Sequence, residues 1–347
     1  MTMAGDRPLR GSLIGCGFFA ENHLNAWKAV PGVELVAVCD LDAGKAQAAA
    51  RRFGASRSYT DAAEMLRAEK PDFVDIATTA ASHRPLVELA AACGVPAIVQ
   101  KPFGLTLADC EAMVRACEEA GVPLMVHENF RWQSPLRTLR HLIDEGRIGP
   151  PHFGRTSFRT GHDVYAKQPY LATDERFIIA DLGIHLLDMA RFYFGEVASI
   201  ACRTRRVNPR IVGEDTATML LQHASGTVSV VDCSYATPVQ PDPFPETLIE
   251  IDGDRGALRL GQGYRLEISE RGRPAERRSL DPPLLPWAER PWHAVQESVL
   301  RIQEHWARCL REGIPPETSG ADNLRTFALV EAAYRSAERG ETVNLEG

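Results

Sequence analysis

The chain has no apolar run of membrane-spanning length, no signal-peptide core in residues 1–10, and no internal repeat or low-complexity tract. The expectation is therefore an ordinary globular protein, neither membrane-embedded nor secreted. An excess of basic charge is also missing. A formal net charge of −7 argues against nucleic acid or an anionic membrane as a partner, because both require clustered Lys and Arg. The cluster at 203–206 lies among alternating apolar residues and reads as the solvated face of a strand. Eight cysteines fall singly, with no C-x-x-C and no metal-type spacing. No metal site is expected, and reduced thiols point to a cytoplasmic protein.

What is present is a chain of 347 residues, 44% hydrophobic and 24% charged, which is large enough for two domains. An apolar run at 9–14 stops at Gly15-Cys16-Gly17-Phe18-Phe19-Ala20, and residues 18–30 continue with helical period. Gly15 suits the tight turn, Gly17 allows the backbone to approach a bound group, and Ala20 lets the helix lie against the strand. The helix start, with Phe18 and Phe19 at it, then faces an anion, most simply the pyrophosphate of a dinucleotide. Asp40 ends the next apolar run, 33–39, and comes twenty positions after Ala20. A carboxylate there accepts hydrogen bonds from the adenosine ribose and repels a 2′-phosphate; Leu41 and Asp42 supply no Arg to receive one. NAD is therefore expected rather than NADP.

Through residue 126 short apolar runs alternate with helical patterns. Helices are predicted at 43–53, 61–68, 82–93 and 106–120, and strands at 57–59, 73–77, 96–99 and 123–126. The expected fold is a doubly wound parallel Rossmann sheet over residues 1–127. Ligands of such sheets lie beyond the carboxyl ends of the strands. Those positions hold Thr78 and Thr79, then Gln100 and Lys101, then Asn129, Arg131 and Trp132. The two threonines read either as turn chemistry or as ribose and phosphate contacts. His83, one turn further on, reads as a surface residue or a cofactor contact.

After Trp132 the pattern changes. A helix at 135–145 precedes alternating runs at 153–158, 200–206, 216–222, 227–235, 247–252, 257–260 and 264–269, with a hairpin signal at Asp252-Gly253-Asp254. Residues 128–347 are expected to form an α+β domain built on a large, mostly antiparallel open sheet. Helices at 180–194, 295–312 and 321–339 accompany it, and the Pro-rich tract at 282–291 is a loop. One broad sheet face without helix cover suggests a homodimer or homotetramer formed through that sheet.

The helix at 180–194 carries Asp181-Leu182-Gly183-Ile184-His185-Leu186-Leu187-Asp188. Asp181 and His185 are i and i+4 with Asp188 three further on, so one face is expected to hold all three. The alternatives at this point are a capping Asp with a core His, or a catalytic pair.

Taken with Gly15-to-Ala20 and Gln100-Lys101-Pro102, this segment resembles the Gfo/Idh/MocA (glucose–fructose oxidoreductase/inositol dehydrogenase) family, over nearly the whole chain. The resemblance implies that Lys101, from an E-K-P motif, and Asp181 and His185, from a D-x-G-x-H motif, form the catalytic set. Gln100 departs from the Glu usual in that motif. Segments 15–27, 100–103, 127–134 and 168–188 further resemble the branch that oxidises the pentose D-apiose at its anomeric carbon to the lactone. The activity implied by the resemblance is that of an NAD-dependent sugar dehydrogenase, with His185 as general base, Asp181 orienting it or holding a sugar hydroxyl, and Lys101 on the reacting oxygen. Arg131, Trp132, Arg159, Tyr165 and Tyr170 are candidate walls of the sugar pocket. A different polyol or inositol dehydrogenase, an NAD-assisted glycoside hydrolase and a non-catalytic dinucleotide sensor are the other readings.

Overall fold

In this computed structural model residues 7–345 are described; the opening of the 1–10 stretch and the last two positions of the expected second domain lie outside the described residues. The first sheet is built from β1 (Leu9–Ile14), β2 (Val33–Cys39), β3 (Arg57–Tyr59), β4 (Phe73–Ile76), β5 (Ala97–Gln100) and β6 (Leu124–His127), all parallel, in the order β3-β2-β1-β4-β5-β6. Its crossovers are α1 (Ala20–Ala29), α2 (Ala43–Phe53), α3 (Ala62–Glu69), α4 (His83–Ala92) and α5 (Leu107–Ala120). Every residue of β4, β5 and β6 is buried, which is why those strands read as unbroken rather than alternating apolar runs. Asp75 in β4, and Gln100 and His127 at the ends of β5 and β6, are the polar exceptions.

Strand order reverses between β1 and β4, and the turns after these two strands meet there. Gly15 has φ +95, and a Cβ on it would sit 2.7 Å from Thr78 Cγ2 and 2.9 Å from the Ala77 carbonyl. No other residue type satisfies both conditions. The helix predicted from residue 18 begins at Ala20, because Phe19 stands at the N-cap.

Next come α6 (Ser134–Asp144), β7 (Pro151–Arg159), a π-type turn over Ile179–Gly183 and α7 (Ile184–Phe194). They are succeeded by β8 (Val197–Arg205), β9 (Thr216–His223), β10 (Val228–Ser234), β11 (Leu248–Gly253), β12 (Gly256–Gly261), β13 (Arg265–Glu270), β14 (Glu276–Ser279), α8 (His293–Glu312), α9 (Gly320–Arg339) and β15 (Val343–Asn344). The nine-stranded sheet runs β14-β13-β12-β11-β7-β10-β9-β8-β15, and among the described residues only β7 and β10 pair in parallel. The mostly antiparallel α+β expectation is met. One face takes α7 closely, since a Cβ at Gly154 of β7 would lie 2.1 Å from the Phe194 ring. The other face is wet, and β9 alternates buried and exposed along it with Leu220 51% exposed.

The chain divides into two compact units, residues up to Asn129 with Ser298–Arg325, and Phe130–Glu297 with the remainder from Thr326. The return of Ser298–Arg325 to the first unit differs from the expected split at 127/128. Hydrogen bonds hold it there: Val126 N–H donates to the Thr318 carbonyl at 2.8 Å, the Thr318 hydroxyl returns to the Val126 carbonyl at 2.8 Å, and Arg311 reaches the carbonyls of Pro31 and Gly32. Among the described residues no helix is long and apolar enough to cross a membrane.

Candidate active site

In the first unit the turn after β1 and the end of β2 are tied together. Asp40 accepts the backbone N–H of Cys16 at 2.7 Å on Oδ2 and that of Asp42 at 2.9 Å on Oδ1. The carboxylate thus shapes the glycine turn as well as standing where a ribose would be read. Burial and the Asp40 charge push the Cys16 thiol up to about 12, so it stays protonated. A Cβ at Gly17 would meet nothing within 4 Å, Phe18 is 60% exposed, and no side chain caps the start of α1. Open backbone beside an uncapped helix start and a carboxylate at the neighbouring strand end suit the pyrophosphate and ribose of a dinucleotide.

Other expected cofactor residues are engaged within the protein. Thr78 accepts the Ser82 hydroxyl at 2.8 Å, and the Thr79 carbonyl takes the same hydroxyl at 2.9 Å, which is turn chemistry. His83 is neither on the surface nor open to a ligand. It is fully buried with Nδ1 on the Phe103 carbonyl and Nε2 on the Thr78 carbonyl, both at 3.1 Å. Burial lowers its pKa against the pull of those carbonyls, and the ring ties together the loops after β4 and β5. Asn129 donates to the Ser298 hydroxyl at 2.6 Å. Gln100 accepts the Lys101 backbone N–H at 2.7 Å and faces His23 with its amide nitrogen.

In the second unit Asp181 sits on the widened turn before α7. π-type turns of this kind recur at functional positions because they push side chains out of the regular helical rows. The Tyr235 hydroxyl approaches Asp181 at 3.5 Å, the long limit of a hydrogen bond. Partial burial, then the charges of Asp181 and Asp174, raise the Tyr170 hydroxyl; burial and Asp181 also raise Asp174. Tyr170 keeps 58% exposure and donates to Gln168. His185 is buried and stacked on Phe130, with centroids 3.9 Å apart and 4° between planes. Tyr165 packs at 5.9 Å from Phe177, and burial raises its hydroxyl.

The structure places Asp188, Arg131, Trp132 and Arg159 differently from expectation. The single helix face expected for Asp181, His185 and Asp188 is altered because Asp181 lies on the π-type turn ahead of α7, while His185 and Asp188 are both buried on α7. Asp188 is fully buried and takes a two-pronged ion pair from Arg131, at 2.5 and 2.6 Å, plus the Thr326 hydroxyl at 2.8 Å. Arg131 is thereby an internal clamp rather than a pocket wall, and Trp132, buried, lies under the Arg137 guanidinium at 4.0 Å. Arg159 falls on the face of β7 opposite Gly154, away from α7, and pairs with Asp232 at 3.4 Å. Two-residue strand periodicity dictates that placement.

Against this geometry, residues 9–128 match the model of the oxidoreductase family with NAD-binding Rossmann fold, and 136–259 match the Gfo/Idh/MocA C-terminal domain. The chain belongs to the Gfo/Idh/MocA oxidoreductase family. Among similar family members is the D-apiose dehydrogenase of Paraburkholderia graminis, 58% identical over 97% of this chain and 90% of that one. The D-apiose dehydrogenase of Rhizobium rhizogenes is 57% identical over 97% of both. A crystal structure of an Agrobacterium radiobacter oxidoreductase in complex with NAD+, L-tartaric acid and magnesium superposes with a TM-score of 0.95, at 57% identity over 97% of this chain and 98% of that one. The cofactor expected from Asp40 is that of the Gfo/Idh/MocA family, whose N-terminal domain is NAD-binding.

Sequence reasoning missed His23, Trp27 and Asp75, which form a buried polar group behind Gln100. The available signal was Asp75, an acid in the otherwise apolar strand Phe73-Val74-Asp75-Ile76, where only a partnered carboxylate is tolerated. Tyr235 and Asp174 were missed as neighbours of Asp181; nothing in their spacing announces them.

Proposed function

We propose that this chain is an NAD-dependent dehydrogenase that oxidises D-apiose at its anomeric carbon to the lactone, in the cytoplasm. The observation that carries the reading is the 57–58% identity to two D-apiose dehydrogenases over 97% of this chain. The open Gly17 backbone and the Asp40 carboxylate at the end of β2 support the cofactor half of it.

The reaction removes a hydride from the anomeric carbon and a proton from its hydroxyl. NAD, when bound, is the hydride acceptor. Lys101 donates hydrogen bonds to the reacting oxygen, and His185 takes up the hydroxyl proton, its ring plane held by the Phe130 stack. Asp181, with Tyr235 and Tyr170 around it, holds the imidazole or a sugar hydroxyl. Tyr165 and Tyr170 remain as candidate donors to the sugar. The wet face of the nine-stranded sheet, on which Leu220 of β9 is exposed, joins subunits into a dimer or tetramer.

The test is turnover of a panel of aldoses and inositols, D-apiose included, with NAD+ and NADP+. Stoichiometric NADH with D-apiose, at higher kcat/KM than with any inositol, is the expected result. Product without net NADH would indicate a glycosidase cycle, and no product from any sugar would end the reading.

A further inference from the structure

A chain of buried hydrogen bonds runs behind Lys101. The Lys101 backbone N–H donates to Gln100 Oε1 at 2.7 Å, which fixes which end of the amide points where. Gln100 Nε2 then faces His23 Nε2 at 3.2 Å. An amide nitrogen only donates, so His23 Nε2 is a bare lone pair and the ring proton resides on Nδ1. That proton is given to Asp75 Oδ2 at 2.8 Å, an oxygen that Trp27 Nε1 also reaches at 2.7 Å. His23 and Asp75 are 0% exposed, Trp27 1% and Gln100 8%. The ring of His23 is gripped between His127 of β6, stacked at 4.1 Å, and the edge of Phe19. The ionisable side chains against it are therefore Asp75 and His127.

We infer that Gln100 is a positioning residue: it links the peptide of Lys101 to the fixed Asp75–His23 pair, and its amide is matched to a neutral, Nδ1-protonated His23. The inference rests on the catalytic reading of Lys101. It accounts for the departure from E-K-P on charge grounds. With Gln100, the group holds one carboxylate, a neutral ring and an amide. With Glu at that position, Lys101 N–H still has an acceptor, but His23 Nε2 must gain a proton to donate to it. Two carboxylates around an imidazolium carry the same net charge of one negative. Glutamine and glutamate are thus two equivalent solutions that differ by one proton on His23, whereas an apolar residue removes the partner that position 100 gives both the Lys101 N–H and the His23 nitrogen.

The experiment uses the full chain with Gln100→Leu, Gln100→Glu and Lys101→Met, assayed with D-apiose and NAD+. It is paired with 15N imidazole spectra in which the His23 signal is assigned by its loss in His23→Asn. In Gln100→Leu, kcat falls roughly 10- to 100-fold, as for other small misplacements of a reacting group, with an unchanged circular-dichroism spectrum. The KM for NAD+ moves by less than about twofold. Gln100→Glu restores most of the rate, and the His23 signal changes from one protonated nitrogen to two. Wild-type kcat in Gln100→Leu, or a His23 signal identical in the wild type and Gln100→Glu, overturns the inference. A fully active Lys101→Met removes the positioning role together with the catalytic reading, and the imidazole signature then reports separately whether the hydrogen-bond chain itself is real.

Discussion

Asp40 accepts the Cys16 backbone N–H at 2.7 Å, so the carboxylate proposed to select the nucleotide also braces the glycine turn after β1. Asp40→Ser combined with Leu41→Arg, at a position 95% exposed and free to receive a phosphate, shifts preference toward NADP+. Because the brace is lost at the same time, KM for NAD+ rises by roughly tenfold, the value of one charge-assisted hydrogen bond. Steady-state kinetics with both cofactors measure the two effects. An unchanged NAD+/NADP+ ratio would mean that Asp40 only shapes the loop.

His185→Ala lowers kcat by about 100- to 10,000-fold, the range of a lost general base, and leaves NAD+ binding nearly untouched. Rapid-quench turnover together with NAD+ titration by fluorescence separates the two. Wild-type turnover in this variant would leave His185 as a core ring stacked on Phe130.

Asp188→Asn leaves the buried Arg131 fork without its counter-charge. Breaking such a pair costs about 3–5 kcal/mol, so the variant melts several degrees lower, as calorimetry will show. An unchanged Tm accompanied by a raised sugar KM would return Arg131 to the substrate pocket.

Stability falls on mild acidification. His83 and His223 are buried, and burial lowers both pKa values from the ordinary 6.5. The unfolded chain therefore takes up protons first as pH drops below about 6.5, and the native state loses ground from there downward. Thermal melts between pH 8 and pH 5 track this loss, and His83→Gln flattens part of the slope. A melting temperature constant over that window would show that folding lowers neither pKa.

Leu220→Arg, on the wet face of the sheet, yields monomers by light scattering where the parent is a dimer or tetramer. A parent that is itself monomeric would contradict assembly through this face.

The legible parts of this molecule are those whose chemistry is local. β2 is readable because its stretch from Leu35 to Cys39 is buried and apolar, and α2 because Asp42 caps it and Gly54, at φ 78, ends it. β14, Glu276-Arg277-Arg278-Ser279, is not: an edge strand paired only to β13 carries a polar sequence like that of a loop. The Arg131–Asp188 pair spans 57 positions and the Asn129–Ser298 bond 169, distances at which no spacing rule operates. Arg159 is a different matter. Counting two residues at a time from Gly154 already turns it away from α7.

The first unit is discontinuous, and β6 ends against Thr318 and Ser319, nearly two hundred residues downstream. Exchanging nucleotide preference by grafting this unit between relatives therefore requires both pieces. A graft cut after Asn129 alone would expose Met125 and Val126, apolar and buried in the intact chain, and would aggregate before any cofactor could rescue it.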